Sequence, residues 1–104
     1  MLLKIGELAK RTGLTVRTLH HYDAIGLMSP SARSDAGYRL YNEADIARLH
    51  RILALRRFGL ALADIGTTLT RPDLSLAALV ARQIETLTEQ IQQARTLRSR
   101  LTRL

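Results

Sequence analysis

The sequence predicts a mostly α fold in which short helices and one small β-hairpin precede a long C-terminal helix. Three observations predict it. Residues 15–27, TVRTLHHYDAIGL, carry apolar side chains at helical spacing after a glycine turn; loop formers between Ser29 and Gly37 bracket the short alternating run YRLY; and after Pro72 a narrow apolar stripe continues to the end of the chain.

Residues 4–11 form the first helix, with Ile5, Leu8 and Ala9 on one side, Glu7, Lys10 and Arg11 on the other, and Gly13 as its stop. Thr15 caps the second helix, Val16, Leu19 and Tyr22 share its apolar face, and Gly26 ends it. Arg17, Thr18, His20 and His21 fall elsewhere on the cylinder, and a front of Arg, Thr and His suits the edges of DNA bases. Two short helices joined through a glycine turn form a helix-turn-helix unit, although plain packing accounts for the pair about as well.

Pro30, Ser31, Ser34, Asp35 and Gly37 then favour a loop, and YRLY at 38–41 has the alternation of a strand. The expectation is a hairpin with its tip at 35–37, leaning on the helices through Leu40. Arg33 and Arg39 stand at its edge, as cations on a wing would. Residues 1–70 are therefore read as a winged helix-turn-helix.

Asn42 restarts helix, with Glu43 and Asp45 in the first turn where the macrodipole favours negative charge. Ile46, Leu49, Ile52, Leu53, Leu55 and Phe58 form its buried face, Arg48, Arg51, Arg56 and Arg57 its remaining surface, and His50 is read as a partly buried structural histidine. A fourth helix over 62–69 turns Leu62, Ile65 and Leu69 inward; its start at Ala61 lacks a side-chain cap, a local cost of about 1 kcal/mol. The chain breaks at Arg71-Pro72-Asp73. Over 74–104, Ala77, Val80, Ile84, Leu87, Ile91, Ala94 and Leu101 follow alternating steps of three and four, interrupted by Arg98, with a second register through Leu97, Leu101 and Leu104. Such a helix needs a partner, and a coiled coil with a second copy is the reading.

At 104 residues the chain is one domain with a helical appendage, too small for a large catalytic cleft. Sixteen Lys and Arg against nine Asp and Glu give a net charge of +7 and a pI near 11.0, which favours a polyanionic partner. Fourteen of the cations are arginines, which suits bidentate contacts to guanine or phosphate; a high-GC genome produces the same bias. Cysteine is absent, which removes disulfides and thiolate metal sites. His20 and His21, adjacent on a helix, point in different directions and do not make a metal site. With no paired carboxylates on a common face and no phosphate-cradling glycine loop, an enzyme is not expected, nor a cofactor. No signal peptide or membrane-length apolar run is present, so a cytoplasmic protein with no membrane partner is expected.

The run TVRTLHHYDAIGL, then Pro30, then GYRLY at 37–41, then DIARLHRILALRRFGLALADI at 45–65, resembles the DNA-binding domain of the mercury-resistance regulator (MerR) family, and the resemblance extends through the long helix. HHYD at 20–23 is similar to the TipA-like, drug-responsive branch, where many relatives have Arg-Tyr-Tyr-Asp. The resemblance implies a homodimer joined by an antiparallel coiled coil through Val80, Ile84, Leu87, Ile91, Ala94 and Leu101. It implies binding to a pseudo-palindromic promoter with an overlong spacer, which is bent and untwisted on effector binding so that RNA polymerase engages both elements.

On that pattern Thr15, Arg17, Thr18 and His20 belong to the DNA-facing helix, with Arg17 and Thr18 towards the major groove and His21 and Tyr22 on or near phosphates. Arg33, Tyr38 and Arg39 belong to the wing, Arg39 clamping the backbone, and Arg56 takes another phosphate. The histidines depart from the family pattern, so a contact there is expected to strengthen as they protonate. Family members usually continue into an effector-binding domain, and the sequence stops at Leu104. It is read as a fragment of a longer regulator whose missing domain takes a small-molecule effector. The alternative is an effector-independent DNA-binding or architectural protein, or a repressor, lacking a ligand domain.

Overall fold

The computed structural model describes residues 1–71 and 76–104, so the expected break at Pro72-Asp73 and the first residues of the 74–104 segment lie outside the described residues. The chain divides into two compact units, Met1–Arg56 and Arg57–Leu104. The fourth helix thus groups with the long C-terminal helix, whereas the sequence reading places it with the wing.

The first unit starts with a strand that sequence periodicity does not reveal. Strand β1 (Leu3–Lys4) pairs antiparallel with β3 (Arg39–Tyr41), which also pairs with β2 (Ala32–Arg33), giving a three-stranded sheet of order β1-β3-β2. The hairpin is therefore supported by a third strand as well as by helices. Leu3 lies opposite Tyr41, and both side chains are buried. Since neighbouring strand residues face opposite sides, Leu40 faces away and is only half-buried. Tyr41, not Leu40, is the inward anchor of the wing.

Helix α1 (Ile5–Thr12) begins where the Glu7 carboxylate accepts the Lys4 N–H at 3.2 Å, and it ends at Gly13, whose φ of 74° is the left-handed conformation expected there. Helix α2 (Val16–Ala24) is capped by Thr15, whose hydroxyl accepts the Thr18 N–H at 3.0 Å. Leu19 and Tyr22 are buried as expected, but Val16, at the first helical position, remains 38% exposed. The chain leaves α2 through backbone bonds from Ile25 to His21 and from Leu27 to Tyr22, and Gly26 supplies the stop.

Helix α3 (Glu43–Arg57) starts with a reciprocal cap: Asp45 N–H donates to Asn42 Oδ1 and Asn42 N–H to Asp45 Oδ2, each at 2.9 Å. Asp45 also accepts the Ser31 hydroxyl at 2.7 Å and the Ser31 N–H at 3.2 Å. One nearly buried carboxylate thus caps α3 and fastens the chain entering β2. Arg48 adds a bond from Nε to the Leu27 carbonyl at 2.8 Å. Leu3, Leu8, Leu19, Tyr22, Met28, Tyr41, Leu49 and Ile52 fill the core of this unit. Full burial of each large apolar side chain contributes about 1.5–3 kcal/mol. His50 is exposed, not partly buried, because Leu49 and Ile52 occupy the inward positions around it. Phe58, expected in the buried face, is 55% exposed, since it lies just past the last residue of α3 in the turn at Gly59.

In the second unit, helix α4 (Leu62–Thr70) starts at Ala61 with no side-chain cap, as expected, and buries Ile65. Helix α5 (Leu76–Thr102) runs for 27 residues, about 40 Å, with none of its described side chains buried. Arg82 Nη2 reaches Asp64 at 3.2 Å, and Gln83 Nε2 donates to the Gly59 carbonyl at 3.1 Å. Gly59 has φ +80°, a left-handed conformation that residues with a Cβ rarely adopt, so the turn before α4 favours glycine. No helix among the described residues is long and apolar enough to cross a membrane.

Candidate nucleic-acid interface

The candidate interface is built on α2 because its buried side leaves the remaining side chains no choice of direction. With Leu19 and Tyr22 in the core, Arg17, His20 and His21 are exposed on the rest of the helix. Thr15 and Thr18 are less free: their hydroxyls lie 2.9 Å apart within the cap. Thr18 can still offer a hydroxyl outward, but its position is fixed by the helix start.

Arg39 reaches back from the wing to α2. Its Nε donates to Asp23 Oδ2 at 3.3 Å, across side chains that are 34% and 22% exposed. A partly exposed pair of this kind is worth little as stability, so its importance is geometric. The Ser29 hydroxyl, with Arg39 and the more distant charge of Arg33, holds the Asp23 carboxyl below its ordinary value of 3.8 against partial desolvation. Asp23 is thereby an anion that fixes the wing cation beside α2. The sequence offers no signal for this role, since a lone aspartate near a helix end reads as ordinary surface.

The wing tip is closed by its own backbone. Ser34 N–H donates to the Tyr38 carbonyl at 2.9 Å and Gly37 N–H to the Ser34 carbonyl at 2.9 Å, while Gly37 has φ +86°. Arg33 folds over this turn, with Nη1 donating to the Gly37 carbonyl at 3.3 Å. Tyr38 is 63% exposed, and Lys4 Nζ stands 5.8 Å from its ring centroid, a cation–π contact.

Tyr22 has no exposed surface with which to meet a phosphate: it is 1% exposed. Its hydroxyl instead accepts a hydrogen bond from Arg56 Nη1 at 3.1 Å, and Arg56 itself is exposed. The two residues that resemblance assigns separately to phosphate contacts are thus one arrangement, in which the tyrosine holds the arginine. Tyr41 is a second buried phenol; its hydroxyl has no hydrogen-bond partner among the described residues, and burial raises its pKa above the ordinary 10.0.

Arg17, His20, His21, Arg33, Tyr38, Arg39 and Arg56 therefore all belong to the first unit, on α2, the wing and the end of α3. An open cleft of about 540 Å³ is lined by His20, Tyr38 and Arg39 together with Lys4, Glu7 and Lys10, which sequence reading left out. Helical spacing makes Lys4 the first residue of a helix, whereas it is the end of a strand beside the wing.

The expected dimerisation residues lie in the second unit. Ile84, Leu87, Ile91 and Leu101 are between 45% and 59% exposed, Val80 is half-buried and Ala94 exposed, so the stripe on α5 is bare in the single chain.

Comparison with known proteins gives two family matches: "MerR HTH family regulatory protein" over residues 3–71 and "MerR, DNA binding" over residues 46–104. The chain is 45% identical over 91 residues to the HTH-type transcriptional activator TipA of Streptomyces coelicolor, covering 88% of this chain and 36% of TipA. Among solved structures it is similar to MtaN, the N-terminus of the Bacillus subtilis multidrug transporter activator, with a TM-score of 0.91, 38% identity, and coverage of 97% of this chain and 95% of that one. It is also similar to EcmrR in the EcmrR–DNA complex in EcmrR-RPo, with a TM-score of 0.81, 32% identity, and coverage of 96% and 37%. The chain spans less than half the length of the curated relatives it matches, 44% and 36% in two of them.

Proposed function

The chain belongs to the MerR family of DNA-binding helix-turn-helix transcriptional regulators, a non-enzymatic family, and from that premise we propose that it binds a pseudo-palindromic promoter as a homodimer and controls transcription by deforming the DNA between its half-sites. The observation that carries this reading is the join between Asp23 on α2 and Arg39 on the wing, which presents a base-reading front and a backbone cation as one surface. In this reading Arg17 and Thr18 face base edges, with Thr15, His20 and His21 beside them on the same helix. Tyr38, Arg39 and Arg33 hold the backbone from the wing, and Arg56, oriented by Tyr22, takes a further phosphate.

The dimer is proposed to form through Val80, Ile84, Leu87, Ile91, Ala94 and Leu101 in an antiparallel coiled coil. The charge on α5 supports that direction. Glu85 and Glu89 lie up to its midpoint and Arg95, Arg98 and Arg100 follow without an acid, while Arg82 is engaged by Asp64. An antiparallel copy sets acidic against basic segments, and a parallel copy sets arginines against arginines.

Each protomer then anchors one half-site, and the fixed separation between the two transmits strain to the spacer. RNA polymerase is the partner at the promoter, in keeping with the EcmrR complex. A small-molecule effector is assigned to segments of the kind that make the curated relatives longer, and the protein works in the cytoplasm. In vitro transcription by the full-length protein from a promoter with an overlong spacer tests this. Activation on adding an effector is expected; binding that never changes transcript level favours an effector-independent architectural protein.

A further inference from the structure

We propose that the cleft between α1 and the wing seats one phosphate of the DNA backbone together with its sugar, so that α1 holds the duplex alongside α2 and the wing. This rests on reading the first unit as DNA-binding. The cleft, about 540 Å³ in volume, brings Lys4, Lys10, His20 and Arg39 around one opening, from four different positions in the chain. Its one acid, Glu7, is turned to local use, with Oε1 accepting the Lys4 N–H at 3.2 Å. The remaining polar rim is basic, which selects an anion.

Ile5 and the Tyr38 ring supply an apolar wall, and Lys4 Nζ is held 5.8 Å from that ring. Cations around an apolar wall match a sugar carrying a phosphodiester better than a free inorganic anion, which has no apolar part. The occupant is DNA because the cleft is continuous with the proposed reading front. His20 belongs to α2, and Arg39 is the cation tied to Asp23. A backbone passing the wing at Arg39 meets Lys10 and Lys4 next. The contact is sequence-independent, so it adds affinity for every duplex and leaves base preference unchanged.

The test compares the 104-residue chain with Lys10→Gln, Lys4→Gln and Glu7→Gln, measuring binding to a mixed-sequence duplex by fluorescence anisotropy across a salt series. The slope of log affinity against log salt counts neutralised phosphates at about 1 each; the two lysines share one phosphate, so each lysine variant should weaken binding and lower the slope by less than about 1. Glu7→Gln keeps an oxygen for the Lys4 N–H and removes the opposing charge, so tighter binding is expected, a gain that a damaged fold does not produce. Lysine and Glu7 variants that match the wild type in both affinity and slope overturn the cleft assignment while the DNA-binding reading stands. A wild-type chain that does not bind the duplex overturns both.

Discussion

Arg56 Nη1 donates to the Tyr22 hydroxyl at 3.1 Å, joining the exposed end of α3 to a ring buried under α2. The bond explains why a tyrosine occupies a fully buried position that leucine or phenylalanine could fill. Tyr22→Phe keeps the ring and removes the only atom that orients Arg56 among the described bonds of that ring. Stability should change by no more than about 1 kcal/mol, the net worth of an ordinary hydrogen bond. DNA affinity should fall several-fold. Chemical denaturation and anisotropy on the same samples check this; unchanged affinity would show that Arg56 needs no guide.

Arg39→Ala should weaken binding to specific and mixed-sequence duplexes alike and reduce the salt slope by about 1, as loss of a phosphate contact does. Competition between duplexes differing by single base pairs is the measurement. A changed order of preference among them contradicts the backbone role.

Asp23 and Tyr41 set opposite ends of the pH range. The folded pKa of Asp23 is lowered, so its stabilising contribution is present above the ordinary carboxyl value near 3.8 and is lost as pH falls through the lower folded value. Thermal unfolding followed from about pH 6 down to pH 3 should show less acid sensitivity in Asp23→Asn than in the wild type. Equal profiles would show that the Ser29 and Arg39 contacts of the Asp23 carboxylate do not stabilise the fold.

For Tyr41 the folded pKa is raised, so stability is intact below about 10 and is lost as pH rises through the folded value. Tyr41→Phe removes both this alkaline loss and a buried hydroxyl that has no partner among the described residues. It should be as stable as the wild type or more stable by roughly 1 kcal/mol, measured by urea denaturation near neutral pH. Destabilisation would mean the hydroxyl is satisfied in solution.

Replacing Ile84 and Leu87 together by Asp places charges on the bare stripe of α5, where these residues are 58% and 45% exposed. Sedimentation equilibrium should then find a monomer. A dimer that survives both substitutions rules out the coiled-coil interface.

Local signals made much of this architecture legible in the sequence. Thr15 and Gly26 announce the ends of α2, Gly13 the end of α1, and the apolar spacing of Leu19 and Tyr22 its inner face. What was not legible depends on contacts distant in sequence. Lys4 joins the wing because β1 pairs with β3, and a two-residue strand has no periodicity to read. Leu40 was the expected wing anchor, but pairing with β1 sets the register that sends Tyr41 inward. Asp45 reads as a macrodipole partner, and only its bonds to Ser31 and Asn42 reveal that it fastens the chain before the wing to α3. The Asp23–Arg39 pair is invisible for the same reason, being formed between residues 16 positions apart in the chain.

The proposed dimer carries two copies of the α2 reading front, each with its wing on the DNA backbone. Selection of bound duplexes from a random pool by the purified chain tests it most directly. Enrichment of two inverted half-sites at a fixed separation is expected, bound at least about a thousandfold more tightly than unselected duplex at physiological salt. A pool that stays random through repeated rounds, or that yields a single unpaired half-site, would contradict it.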